Sequence, residues 1–117
     1  MMFFFGICQA QYLFNQRTNT PEDLGQSQLT YCDIKITPEK IHLFEISEID
    51  DLTWNYEIDI ISKKWNGGVV TYRCDGFIFK WDGEFMLVED LVFKSRKMYY
   101  QRGIVYKPKG YVAVLKQ

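Results

Sequence analysis

His42 is the only histidine in the chain, so any chemistry that needs an imidazole must use this one residue, and a metal site built on paired histidines is excluded. It alternates with Phe44 and Ile46, which puts it on a partly apolar strand face, where a hydrogen-bonded structural histidine is the better reading than a general base. Glu89-Asp90 interrupts the apolar pattern of residues 85–93, and a carboxylate held on a buried face acquires the raised pKa that acid catalysis uses. Adjacent strand residues point to opposite faces, so the two can serve one site only at an irregularity; a bend or bulge is expected there. Glu45, Glu48, Asp50 and Asp51 gather hard oxygen ligands of the kind Ca²⁺ takes, without the alternating acid spacing and central glycine of an EF-hand. They read as a solvated acidic turn. With no G-x-S-x-G elbow, C-x-x-C pair or phosphate-cradling glycine loop, neither catalysis nor a cofactor or metal is expected.

Binding chemistry is better represented. Trp54, Tyr56, Tyr72, Phe79 and Trp81 supply large flat rings suited to an apolar ligand or a sugar face, at a barrel mouth or on an exposed platform; the alternative is that they fill the core. Trp65, beside Lys63, Lys64 and the Asn66-Gly67-Gly68 turn, is the tryptophan expected to be exposed, and it completes the candidate ligand-binding set. Lys94-Ser95-Arg96-Lys97, followed by Tyr99, Tyr100 and Arg102, combines cations for phosphates with rings for bases. A net charge of −1 gives no general basic field, so this stretch reads as a solvated hairpin loop and no nucleic-acid partner is expected. Charge is uneven along the chain: residues 11–61 carry three basic and ten acidic groups, residues 62–117 eleven basic and five acidic. Cross-strand pairing, with Glu57 and Asp59 facing lysines, accounts for this more simply than two opposed patches.

These side chains must be carried by strands. A length of 117 residues, 47% hydrophobic, fits one domain with one core. Residues 54–61 show the clearest period of two: Trp54, Tyr56, Ile58 and Ile60 on one face, Asn55, Glu57 and Asp59 on the other. Similar runs occupy 30–36, 41–43, 70–74, 77–81 and 85–87, and residues 98–107 and 111–115 complete about eight strands. Asn66-Gly67-Gly68, Asp75-Gly76, Asp82-Gly83 and Pro108-Lys109-Gly110 supply the turns. The expected fold is all-β, a small antiparallel barrel or two-layer sandwich joined by hairpins. Residues 20–25 suit one helical turn, and residues 15–28 otherwise read as a polar loop.

The apolar residues 1–8, followed by Gln9-Ala10, resemble the end of an export signal cleaved after Ala10, although no basic residue precedes them; the alternative is a first strand over 3–14 in a cytoplasmic protein. No run is long enough for a transmembrane helix. Loss of Cys8 with the leader would leave Cys32 and Cys74, which an oxidising compartment can join; the alternative is two buried thiols. The alternating strands and aromatic interior look broadly like those of lipocalin-type carriers, without the Gly-x-Trp signature. Tyr72-Arg73-Cys74-Asp75-Gly76 and Lys109-Gly110 with Ala113 and Leu115 are locally similar to lysozyme-inhibitor barrels of the membrane-associated C type, without their Ser-Gly-rich loop, and no functional residue is carried over. The reading is an exported, non-catalytic β domain of 11–117, periplasmic or extracellular, that binds a protein or a small apolar or sugar-like molecule. An intracellular protein-binding domain such as a toxin neutraliser comes second, and a small enzyme using His42, Glu89 and Asp90 third.

Overall fold

Side chains alternate across a strand, and closing the sheet turns one of the two faces into the core. The computed structural model describes residues 10–19, 26–47 and 53–106. They form β1 (Ala10–Thr18), β2 (Gln28–Ile36), β3 (Lys40–Ser47), β4 (Thr53–Asn66), β5 (Val69–Cys74), β6 (Phe77–Trp81), β7 (Met86–Asp90) and β8 (Ser95–Tyr100). Each strand pairs antiparallel with the next, and β8 returns to β1, so the sheet is a closed eight-stranded up-and-down barrel rather than a sandwich. No α-helix occurs among the described residues. Phe14, Ile34, Ile41, Phe79, Met86 and Tyr99 fill the interior.

Three of the predicted reversals lie where the glycines allow them. Gly67 and Gly68, at φ 58° and 89°, close the β4–β5 hairpin, and Gly76 and Gly83 also take positive φ. The fourth hairpin corrects the sequence reading. Lys94-Ser95-Arg96-Lys97 is not the β7–β8 loop; residues 91–94 make the turn, and Ser95, Arg96 and Lys97 already belong to β8. The cause is Asp90, whose Oδ1 accepts from the amides of Val92 at 2.9 Å and Phe93 at 3.0 Å and fixes the reversal early. Glu89 and Asp90 are accordingly regular β7 residues, paired with Arg96 and Ser95, with no bulge.

Three further expectations change. Residues 15–18 belong to β1, because polar Arg17 has a buried partner that hides it from water. That partner is Glu45, which sits in β3 at 1% exposure and not in a solvated turn. The strand expected over 98–107 is β8, which ends at Tyr100, and residues 101–106 run on unpaired, tied to β1 by Asn15. The expected elements over 20–25, 108–110 and 111–115, the acidic residues 48–51 and all of the expected leader 1–10 but Ala10, which opens β1, lie outside the described residues.

Cys32 and Cys74 are buried, free thiols, so the expected bridge is not formed. They stand on β2 and β5, three places apart around the barrel. Strands so separated cannot bring two Cα atoms within the roughly 7 Å that a disulfide tolerates. Both thiols face a low-dielectric interior, and burial pushes Cys74 up to about 11 and Cys32 well above its ordinary range.

Candidate functional site

Two register shifts decide what the ends of the barrel present. In β4 the pairing with β5 shifts between Ile60 and Ser62. Before the shift Ile58 and Ile60 face inward; after it Lys63 and Trp65 do, opposite the inward residues Tyr72 and Val70. In β1 the pairing with β2 shifts between Phe14 and Gln16, and Arg17 takes the inward place that strict alternation would give Gln16. An irregularity of this kind re-aims side chains that local sequence would send the other way.

The barrel end carrying Ala10, the 37–39 loop and the Gly67-Gly68 turn is an open mouth. It holds a cleft of about 520 Å³ lined by Tyr12, Ile36, Ile60, Lys63, Trp65, Val70, Tyr72 and Trp81, with Ala10, Thr37 and Pro38 at its rim. The Tyr12 and Trp81 rings lie 4.5 Å apart and tilted by 45°, making one aromatic wall. Tyr72 and Trp65 make the other, with Lys63 Nζ 5.6 Å from the first ring centroid and 5.8 Å from the second. Trp65 is 70% exposed, as its turn-side position implied. A lateral slot of about 380 Å³, bordered by Leu13, Gly83, Glu84 and Gln101, shares Tyr12 and Trp81 with the mouth. It opens where β1 and β8 have parted, since they pair only over Gln16, Arg17 and Thr18.

The chain matches no protein-family model, no curated protein and no solved structure. The site therefore stands on its geometry.

At the opposite end the interior is polar and nearly full. Glu45 Oε2 accepts from Arg17 Nη1 at 2.9 Å and from the Thr30 hydroxyl at 2.6 Å, and its Oε1 accepts from the Tyr99 hydroxyl at 2.6 Å. Trp54 lies between two cations, with Lys97 Nζ 4.7 Å and the Arg17 guanidinium 5.6 Å from its ring centroid. The remaining gap, bordered by Tyr56, Phe77, Asp90 and Ser95, is only about 40 Å³, enough for a water-sized guest. Burial, and then the nearby Glu45 carboxylate, pushes the Tyr99 hydroxyl well above its ordinary range, so it remains a hydrogen-bond donor at neutral pH.

The six aromatic candidates thus divide among three places. Tyr72, Trp81 and Trp65 meet at the mouth, Trp54 and Tyr56 stand at the opposite end, and Phe79 is fully buried between them. Sequence reasoning missed Tyr12, whose signal was its alternation with Phe14, and it missed Arg17 and Thr30, which carry no local signal. The residues of the enzyme alternative do not converge. His42 faces outward from β3 with Nε2 2.6 Å from Asn55 Oδ1, Glu89 faces outward from β7 against Arg96 at 3.2 Å, and Asp90 caps a turn. No group of three or more His, Cys, Asp or Glu side chains able to hold a metal occurs among the described residues. Glu57 and Asp59 meet Lys40 across the sheet at 3.4 and 3.9 Å, exposed pairs that contribute only tenths of a kcal/mol each.

Proposed function

We propose that this protein is an exported, non-catalytic binding domain that takes a small, largely apolar ligand into the aromatic mouth of its barrel. The observation that carries the reading is the cleft of about 520 Å³ between the Tyr12–Trp81 wall and the Trp65–Tyr72 wall. Its size lies within the roughly 300–1,000 Å³ range of small-molecule sites, and its lining is dominated by rings and aliphatic side chains. A sugar, which needs several convergent polar partners, is less well served by Thr37, Lys63 and two tyrosine hydroxyls. The export part of the proposal rests on the apolar residues 1–8 with Gln9-Ala10.

The neutral probe N-phenyl-1-naphthylamine tests the reading directly. Its fluorescence should rise saturably with one site per chain. Trp65→Ala should weaken binding by about three- to tenfold, the loss of one aromatic contact, while leaving the melting temperature unchanged because Trp65 is exposed. Non-saturable binding, or binding indifferent to Trp65, would remove the mouth as the site.

A second reading, binding to a protein partner, is favoured by one observation. The β7–β8 turn holds Leu91, Val92 and Phe93 out in solvent, with Phe93 81% exposed, on a tip braced by Asp90.

A further inference from the structure

We infer that the ligand of the mouth is an organic anion, a flat apolar or aromatic body bearing one carboxylate, sulfonate or phosphate, with Lys63 as its counter-charge. The inference rests on the reading of the mouth as a small-molecule site and goes further by naming the chemistry that site selects.

Among the described residues, Lys63 is the only charged side chain lining the cleft. It makes no ion pair among the described residues, unlike Arg17, Lys40 and Arg96, which meet Glu45, Glu57 with Asp59, and Glu89. The other cation turned to the interior, Lys97, lies over Trp54 at the opposite, nearly full end, where no cleft of ligand size opens. Its place is set by the β4 irregularity and not by local pattern. Had Ile58 and Ile60 been followed by strict alternation, Ser62 and Lys64 would face the mouth; the shift between Ile60 and Ser62 brings in Lys63 and Trp65 instead. The ammonium then lies 5.6 Å from the Tyr72 centroid and 5.8 Å from the Trp65 centroid, held at the lip by two ring faces.

A cation at the lip of an apolar cleft selects against cationic ligands and gains from an anion through a charge-assisted hydrogen bond. Because Lys63 is itself exposed, that gain is the modest one of a hydrated pair, and it counts because the cleft holds the ligand body in place beside it. The two aromatic walls stand ready for the flat body of the same molecule. Glu84, the acidic residue bordering the lateral slot, lies on the far side of the Tyr12–Trp81 wall and does not line the mouth. An anionic head is therefore drawn to the Lys63 lip while the slot end stays unfavourable for it.

Two probes with the same ring system separate the contributions: 1-anilinonaphthalene-8-sulfonate carries the anion, and N-phenyl-1-naphthylamine lacks it. With the full chain, Lys63→Met should weaken the sulfonate probe by about five- to tenfold and leave the neutral probe within about twofold, and Lys63→Arg should retain most of the sulfonate affinity. Lys64→Met, the outward neighbour, should change neither. Added salt should weaken only the sulfonate probe.

If Lys63→Met leaves sulfonate affinity unchanged while the neutral probe still depends on Trp65, the anion inference is overturned and the mouth survives as an apolar site. Equal losses from Lys63→Met and Lys64→Met, or loss of both probes in Lys63→Met, overturn it as well, the first by showing a diffuse surface effect and the second a merely structural lysine. Failure of both probes to bind the unmodified protein overturns the mouth reading and this inference together.

Discussion

Glu45 holds a carboxylate inside an eight-stranded barrel because Arg17, Thr30 and Tyr99 supply three donors in place of the water it gave up. A buried ion pair contributes little net stability against an apolar pair of the same shape, but losing one partner is expensive, since it strands the other charge. Glu45→Ala should therefore lower unfolding free energy by about 3–5 kcal/mol in urea titrations at constant slope. Arg17→Met together with Glu45→Leu should recover much of that loss. A loss under about 1 kcal/mol for Glu45→Ala would mean the charge is not buried in solution. Nothing in the local sequence distinguishes Glu45 from its acidic neighbours at 48, 50 and 51. The parity of β3 puts it in register with Cys32, and Arg17 reaches it only because β1 slips.

Strand parity is the property that individual elements contribute, and it was readable wherever it was regular. The 54–60 alternation, the paired glycines after Asn66 and the Asp-Gly turns all gave correct local structure, because φ preference and a period of two are properties of a few adjacent residues. Where the β1 parity breaks, Asn15 is turned outward and holds the chain after β8. Its amide donates to the carbonyls of Arg102 at 2.8 Å and Ile104 at 3.1 Å, and its carbonyl accepts from the Arg102 amide at 2.8 Å. Val105 then packs on Tyr31 and Phe44, an outward apolar pair that β2 and β3 would otherwise leave in water. Asn15→Ala should cost about 1–2 kcal/mol, the loss of an exposed but multiple hydrogen bond, and should speed hydrogen exchange at the Arg102 amide more than at the barrel amides. Uniform acceleration across the barrel would show instead that the strap and the barrel open as one unit.

For the molecule as a whole, the buried acids of high pKa set an alkaline limit. Cys74 is raised from its ordinary 9.0 to about 11 by burial, and Cys32 and Tyr99 are raised further by burial and by the Glu45 carboxylate. A group whose pKa is raised on folding contributes stability that is complete below its unfolded pKa and is lost as pH climbs toward its folded one. These groups should thus leave denaturation free energy unchanged from neutral pH to about pH 9 and lower it above, with Cys74→Val, which removes one of them, flattening the decline between pH 9 and 11. An unchanged slope in that variant would sink the assignment to Cys74. The sequence by itself determined the strand class, the count of about eight and the positions of three hairpins, since these follow from local dihedral preference and alternation. Only the tertiary structure decided that the sheet closes, that Cys32 and Cys74 lie too far around it to join, and that Lys63 and Trp65 turn into the mouth while Trp54 goes to the other end. Each of these depends on the register between strands distant in sequence, and a one-residue slip in that register reverses every side chain beyond it.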